Sequence, residues 1–170
     1  IVGSKLEPNI LNMLTKLINR RRFVEVTGLI TVSQFARAAS KTLPTTTSLA
    51  NSLAAALQAK KALIVMVSLD GCPFCKISRE HYLIPLREQQ NISIVQVNMR
   101  SREKIKDFKG VDTTHDQLIR SWGVKVAPTV LFFGPNGVEL AERLSGAYIP
   151  DFYGTYLDER IQKANSQIII

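Results

Sequence analysis

The 170-residue sequence has few of the residues that mark specialised classes of protein. Its two cysteines are too few for a scaffold held together by disulfides, and no run of about 18 apolar residues provides an ordinary membrane-spanning helix. A hydrophobic fraction of 45% together with 21% charged residues excludes a wholly disordered chain. The length therefore suits one globular domain with some additional chain.

The excess of positive charge, a formal net of +8, does not follow a nucleic-acid-binding pattern. Half of it falls in residues 1–38, and basic and acidic residues are interspersed in the rest of the chain. Because a mixed surface of this kind favours solubility over phosphate binding, we expect no nucleic-acid partner. The basic run from Arg100 to Lys109 contains Glu103 and Asp107, so we interpret it as a solvated helix face, with an acidic partner surface as the alternative.

Residues 1–38 are typical of an export signal. Three arginines at 20–22 resemble a twin-arginine signal, a weakly apolar stretch follows them, and the Ala-Arg-Ala sequence at 36–38 fits the A-x-A cleavage rule. Glu25 interrupts the apolar stretch, so an amphipathic N-terminal helix is the alternative. An exported protein would be periplasmic and would begin with a Thr/Ser-rich linker at 39–47; otherwise we expect a cytoplasmic protein.

From Ser48 onward the sequence alternates between helical and strand-like patterns. The first predicted elements are a helix from 49 to the lysines at 60–61, a strand over 62–69, a helix over 76–90 that Pro85 kinks or ends, and a strand over 92–98. A loop over 100–114, with a helical piece around 103–108, and a helix over 116–122 follow. The last elements are a strand over 130–133, a turn over 134–137, an antiparallel partner of that strand over 138–144, and a helix opened by Pro150. Residues 62–69 are almost continuously apolar, which is typical of a strand buried on both faces of a parallel or mixed sheet. The last helix is expected to bury Phe152, Tyr156, Leu157 and Ile161.

Both cysteines lie in one C-x-x-C motif, Cys72-Pro73-Phe74-Cys75, between the first predicted strand and a helix. A thiol on the first helical turn lies close to unpaired backbone N–H groups, which favour the thiolate over the thiol. One helical turn separates the two cysteines, so their sulfurs can form a disulfide with little movement of the backbone. We expect Cys72 to be the exposed member of the pair and Cys75 the buried one.

Three features of the sequence are similar to those of thioredoxin-like proteins of the bacterial cell envelope. They are the strand followed by Cys72-Pro73-Phe74-Cys75, the Ala127-Pro128-Thr129 segment at the start of the third strand, and the hairpin turn Pro135-Asn136-Gly137. A single C-x-x-C motif is weak evidence because zinc sites share it, but the order of the three features identifies residues 48–166 as a thioredoxin-like domain. The resemblance implies an α/β thioredoxin fold, a mixed central sheet flanked by helices, with an N-terminal extension.

The resemblance also implies a substrate-binding surface. Pro128 corresponds to the cis proline of the family, which places a loop opposite the cysteines and leaves the backbone of the preceding residue, Ala127, free to pair with an extended peptide. We expect Pro73 and Phe74 to contribute to the same surface. A trans Pro128 that begins an edge strand is the alternative.

The sequence departs from thioredoxins proper at two positions. Gly71 stands where they have a Trp before the first cysteine, and Met66 stands where they have a buried Asp that helps to move protons at the second cysteine. A methionine cannot act as a base, so Cys75 must lose its proton to water, to the substrate or to another group. Glu80 and Lys125 are the candidates that the sequence offers.

We predict a thiol–disulfide oxidoreductase that acts on protein disulfides through Cys72 and Cys75, and a reductase in preference to an oxidase. Pro73 and Phe74, between the cysteines, are uncharged, whereas a histidine at this place would favour the thiolate more strongly. Cys72 should therefore be less acidic than the first cysteine of the strongest oxidants of this fold. The alternative is a binding module or metallochaperone that holds Cu(I) with the same two cysteines.

The remaining sequence features predict neither a resident metal nor a cofactor. No cofactor is needed because the dithiol is itself the redox centre, and Lys76 after the motif excludes a haem-attachment signature. His81 and His115 have no recognisable zinc-ligand spacing, and Trp122 is interpreted as a packing residue. We expect a monomer whose partners are proteins with disulfides or thiols, and, if it is exported, a membrane protein as electron donor.

Overall fold

The structure, a computed structural model, describes residues 42–146 and 150–168. The predictions for residues 1–38 lie outside the described residues. In chain order the elements are α1 (Leu49–Gln58), β1 (Leu63–Ser68), α2 in three consecutive segments (Pro73–Ile77, Ser78–Leu83 and Ile84–Gln90), β2 (Ile94–Asn98), β3 (Lys104–Lys106), β4 (Asp112–Thr114), α3 (His115–Ser121), β5 (Thr129–Phe133), β6 (Leu144–Ser145) and α4 (Pro150–Ser166). Within this part of the chain, no helix is long and apolar enough to span a membrane.

Strand β1 lies in the interior of a four-stranded sheet with the order β2-β1-β5-β6. It pairs in parallel with β2 and antiparallel with β5, and all six of its residues are buried. The predicted strand at 62–69 and the predicted mixed sheet are therefore confirmed. The carboxyl end of this buried strand delivers the chain directly to the cysteine motif.

The residues of β1 alternate between two apolar clusters, one on each face of the sheet. Ile64 and Met66 pack with buried residues of α2 and α4, whereas Leu63, Val65 and Val67 pack with buried residues of α1 and α3. Each fully buried aliphatic side chain of this size contributes about 1.5–3 kcal/mol to folding. The first cluster thus holds α2, the helix that carries the cysteines, against the sheet, and the second cluster packs α1 and α3 on the opposite face.

Helix α2 is longer than the predicted helix over 76–90 and passes through Pro85. A proline in a helix interior lacks the backbone N–H that the helix needs. Here the preceding segment, Ser78–Leu83, is π-helical, and Pro85 stands in the first turn of the last α-helical segment, where the N–H is not needed. The proline therefore coincides with a change of helix type, and the helix continues to Gln90, where the C-cap residue Asn91 has a φ of 51°.

Residues 104–114 form a β-hairpin, so the prediction of a loop with a helical piece around 103–108 is wrong. Strands β3 and β4 pair antiparallel over three residues each. Ile105 is 1% exposed and packs between α1 and the sheet, whereas its neighbours Lys104 and Lys106 are exposed. This alternation has the period of a strand, and the basic run is a hairpin and not a helix face.

The hairpin also contributes an aromatic residue to the core. The ring centroid of Phe108 lies 4.6 Å from that of Phe133 and 6.2 Å from that of Trp122, and the last two are 5.2 Å apart. Trp122 is half-buried in this group. Its predicted role as a packing residue is confirmed.

The segment after β5 pairs much less than the predicted strand over 138–144. Only β6 and a single bridge between Phe133 and Glu139 connect it to β5. Between these points Arg143 forms an ion pair with Glu139 and donates a hydrogen bond to the carbonyl of Trp122 at 2.8 Å. These local contacts replace the strand pairing that the sequence suggested.

The buried side of α4 differs from the predicted one in its aromatic residues. Leu157 and Ile161 are buried as expected. Tyr153 is 6% exposed, whereas Phe152 and Tyr156 are 56% and 44% exposed. The expectation that Phe152 and Tyr156 belong to the buried stripe is therefore wrong, because Tyr153 faces the core in their place.

Residues 42–47, which we expected to belong to a linker, run along the edge of β2. Leu43 is 3% exposed, and the carbonyl of Pro44 accepts a hydrogen bond from the N–H of Gln96 at 2.9 Å. Thr45 forms a parallel bridge with Gln96. The folded domain thus extends upstream of its predicted start at residue 48.

Candidate active site

The chain leaves β1 at Ser68 and enters α2 through a tight turn. Gly71 has a positive φ of 73°, which glycine adopts without strain, and the N–H of Cys72 donates to the carbonyl of Leu69 at 3.2 Å. Cys72 is the N-cap of α2, and Pro73 occupies the first helical turn, where its missing N–H is not needed. Glycine before the first cysteine is therefore suited to the geometry of this turn.

The two sulfurs of the motif form a disulfide but differ in their surroundings. Cys72 is partly exposed, whereas Cys75 is 1% exposed and belongs to the cluster between the sheet, α2 and α4. The N–H of Cys75 donates to the Sγ of Cys72 at 3.1 Å. Only the first sulfur is thus accessible to another molecule, and a backbone donor is directed at it.

The loop before β5 lies against the first cysteine. The carbonyl oxygen of Ala127 is 3.9 Å from the Sγ of Cys72. The Ala127–Pro128 peptide bond is cis and Pro128 is buried. The hydroxyl of Thr129 donates to the carbonyl of Val126 at 2.9 Å, which closes the loop. The structure therefore brings Cys72, Cys75 and Ala127 together, and Pro128 is buried next to Ala127 in the chain.

Apolar side chains are exposed around the disulfide. Phe74 is 53% exposed on the first turn of α2, and Ile77, one turn later, is 40% exposed. Pro73 is also exposed, and Val126 on the neighbouring loop is 43% exposed. Large apolar side chains in water are unfavourable for an isolated protein, so this group is suited to contact with another molecule.

The environment of Cys75 is apolar. Met66 is fully buried in the same apolar cluster as Cys75, and its thioether is neither an acid nor a base. Glu80 is half-buried on α2, and Lys125 is exposed. Neither of the two candidates for proton transfer is brought into contact with this sulfur.

A hydrogen bond between two buried hydroxyls joins α2 to α4, and the sequence reasoning missed it. The Ser78 Oγ and Tyr153 Oη atoms are 2.6 Å apart, and the Tyr153 ring packs edge-on against Tyr82 with centroids 4.9 Å apart. Burial raises the pKa of Tyr153 above its ordinary value, so the hydroxyl stays protonated at neutral pH. Because Ser78 lies one turn after Cys75, this bond fixes the helix that carries the cysteines.

The two histidines do not join the cysteines in a metal site. The Nδ1 atom of buried His115 accepts a hydrogen bond from the N–H of Asn98 at 3.1 Å, and His81 is exposed on α2. Burial lowers the pKa of His115, so its imidazole is neutral at pH 7. In the described ranges no group of three or more His, Cys, Asp or Glu side chains could hold a metal ion.

Comparison with solved structures finds similar folds. A thioredoxin-fold protein from Helicobacter pylori is 18% identical, with 65% of this chain and 83% of that chain covered and a TM-score of 0.44. The periplasmic thioredoxin SoxS from Paracoccus pantotrophus is 18% identical, with coverages of 61% and 99% and a TM-score of 0.42. Mitochondrial thioredoxin 3 from Saccharomyces cerevisiae is 17% identical, with coverages of 71% and 93% and a TM-score of 0.46.

The family of this chain is shown by comparison of its sequence with family models. No curated protein matches the chain. A family model for the thioredoxin-like domain, however, matches residues 49–161, which is well over half of the sequence and includes both cysteines and the cis proline. The chain therefore belongs to the thioredoxin-like domain family.

Proposed function

We propose that this protein reduces disulfide bonds in other proteins, with Cys72 as the attacking thiolate and Cys75 as the resolving thiol. The broader activity, thiol–disulfide exchange, is supported by the family and by the Cys72–Cys75 disulfide. The observation that carries the two roles is the difference in exposure: Cys72 is accessible, whereas Cys75 is 1% exposed. The sulfur that attacks another protein must be accessible from outside. The sulfur that resolves the mixed disulfide needs only to lie close to the first sulfur.

The backbone supports the role of Cys72. In the disulfide form, the N–H of Cys75 donates to the Cys72 sulfur. In the reduced protein, the same N–H would stabilise a thiolate at Cys72. The thiolate is the nucleophile in thiol–disulfide exchange. Cys72 can therefore react while Cys75 is still protonated in its apolar surroundings.

The reaction then takes two exchanges. The Cys72 thiolate attacks one sulfur of the substrate disulfide, forms a mixed disulfide and releases the other substrate sulfur as a thiolate. Cys75, once deprotonated, attacks the Cys72 sulfur and releases the second substrate thiolate. The substrate gains two electrons and two protons, and the protein is left with the Cys72–Cys75 disulfide, which an external dithiol must reduce again.

The loop at Ala127 supports a protein as the substrate. The carbonyl of Ala127, 3.9 Å from the Cys72 sulfur, is an acceptor that an extended peptide could use beside the reacting bond. Exposed Phe74, Ile77 and Val126 would cover apolar side chains of such a peptide. We therefore assign exposed Pro73 and Phe74 to substrate contact together with Ala127, and assign buried Pro128 to the same surface as the residue that positions Ala127.

The direction of electron flow is tested by the reduction potential of the Cys72–Cys75 couple. Strong oxidants of this fold owe their potential, near −120 mV, to a reduced form that is strongly stabilised. Pro73 and Phe74, the two residues between the cysteines, carry no charge to provide that stabilisation, so we expect a value closer to that of thioredoxin, about −270 mV. Equilibration with glutathione and dithiothreitol buffers measures it.

The same preparation should reduce a protein disulfide catalytically with dithiothreitol as the donor. A potential near −120 mV would contradict the proposed direction while leaving thiol–disulfide exchange intact. Stoichiometric copper bound after purification, with no turnover of any disulfide, would contradict the exchange itself and favour a Cu(I)-binding module.

Export to the periplasm is part of this proposal and rests on the arginines at 20–22 and the Ala-Arg-Ala sequence at 36–38. A periplasmic reductase needs electrons from across the membrane, so its donor would be a membrane protein. N-terminal sequencing of the mature protein should then begin near Ala39. Recovery of a cytoplasmic protein that retains residues 1–38 would contradict export.

A further inference from the structure

A groove with more positive than negative side chains opens beside Cys72. Its volume is about 370 Å³, and it is lined by the turn between β1 and α2 together with Lys76 and Arg79. One carboxylate, that of exposed Asp70, also lines it. Among the described residues, neither Lys76 nor Arg79 forms an ion pair.

Arg79 makes few of the hydrogen bonds that its guanidinium offers. Its Nη1 atom donates to the Oε1 atom of Gln96 at 3.2 Å, whereas its Nε is buried and has no partner in the described part of the chain. A guanidinium carries five N–H donors, and a partly buried cation without an anion is unfavourable. A carboxylate can accept two of these donors at once, so the site favours an anionic ligand.

A second groove, beside Ala127, provides a comparison. It contains Arg120, but the Nε of this arginine already donates to the carboxylate of Asp116 at 2.8 Å. Its other cations, Arg100 and Lys125, are exposed to water. A ligand carboxylate therefore has more to gain at Arg79 than at any cation of the second groove.

We propose that the groove at Arg79 binds an acidic side chain next to the reactive cysteine of a peptide or protein substrate. This inference rests on the proposed function. Arg79 is the specificity-determining residue, because its partly buried guanidinium can pair with the carboxylate. Lys76, exposed on the same helix, adds attraction at the rim. Cys72 lines the same groove, so a carboxylate bound there holds the adjoining disulfide beside the attacking sulfur.

Two peptides that contain one cysteine each test this inference. One has Glu beside the cysteine and the other has Gln, and each is used as its symmetric disulfide. The full chain, fully reduced beforehand, is mixed with each peptide, and the rate constant of peptide reduction is measured in a single turnover. We expect the Glu peptide to react about three- to tenfold faster at low ionic strength, the range for a charge pair that is only partly buried. Added salt should shrink the ratio.

The variant Arg79→Gln should bring the ratio of the two rate constants close to one. Arg79→Lys keeps the charge but loses the paired donors, so it should retain part of the preference. The matched control is Arg87→Gln, which removes an exposed positive charge from the last turn of the same helix and should leave the ratio unchanged. Since both peptides react with the same preparation, a loss of folded protein lowers both rates and does not alter the ratio.

A ratio near one in the unmodified protein, or a ratio that Arg79→Gln leaves unchanged, would overturn the carboxylate site while leaving the proposed function intact. If reduced protein with an alkylatable Cys72 thiol reacted with neither peptide, the proposed function itself would fail, and this inference with it.

Discussion

Replacement of Cys72 by serine is expected to abolish disulfide reduction, whereas Cys75→Ser should leave the protein covalently bound to its substrate. The first variant lacks the accessible sulfur that begins the reaction. The second still attacks through Cys72, but the mixed disulfide cannot be resolved because no second thiol follows. Mass spectrometry of each variant after incubation with a protein disulfide measures the adduct.

The chain has only these two cysteines, so each single variant contains one thiol and the position of any adduct is unambiguous. The double variant Cys72→Ser/Cys75→Ser is the control and should form no adduct. Accumulation of an adduct through Cys75 in the Cys72→Ser variant would reverse the two roles. It would also mean that a sulfur that is 1% exposed becomes accessible when the disulfide is open.

The variant Met66→Asp is expected to lose roughly 3–5 kcal/mol of stability at neutral pH, because it places an unpaired charge in the apolar cluster around Cys75. Burial should raise the pKa of the new carboxyl above its unfolded value of about 4. A raised pKa means that the folded state binds more protons, so stability should fall as the pH rises from about 4 to the folded-state pKa and then level off. Below about pH 4 the ionisation penalty is absent.

Denaturant unfolding at pH 5 and pH 8 measures this effect, with Met66→Asn as the matched control because it is polar but cannot ionise. The destabilisation by Met66→Asn should not change between the two pH values. Identical pH dependence of the two variants would show that water reaches position 66. The same carboxylate can take the proton of Cys75, so release of substrate from the mixed disulfide should become faster in Met66→Asp than in Met66→Asn.

The parts of the fold that the sequence predicted are those with a strong local signal. Strand β1 is a continuous apolar run, and the cysteine motif follows it directly, so its position at the end of a buried strand needed no long-range information. The Ala127-Pro128 segment was placed opposite the cysteines through the family resemblance. The distance of 3.9 Å from the Ala127 carbonyl to the Cys72 sulfur agrees with that placement.

The missed features depend on contacts between distant residues. In β3, Ile105 is the only buried residue among charged neighbours, and three residues are too few to show a period of two. Tyr153 faces the core through its bond to Ser78, 75 positions earlier, whereas helical spacing alone also suited Phe152 and Tyr156. Arg79 became a candidate only when the structure showed that it lines the same groove as Cys72 and that, among the described residues, its Nε has no partner.

The segment that runs along β2 has a consequence for concentrated solutions of the protein. An uncovered strand edge offers backbone N–H and carbonyl groups to strands of other molecules and so promotes aggregation. Here the carbonyl of Pro44 accepts a hydrogen bond from the N–H of Gln96 in β2, and the carbonyl of Thr47 accepts one from the N–H of Lys106 in β3. On the opposite side of the sheet, β6 is only two residues long. We expect removal of the residues before 48 to uncover the β2 edge and to increase self-association of the protein at high concentration.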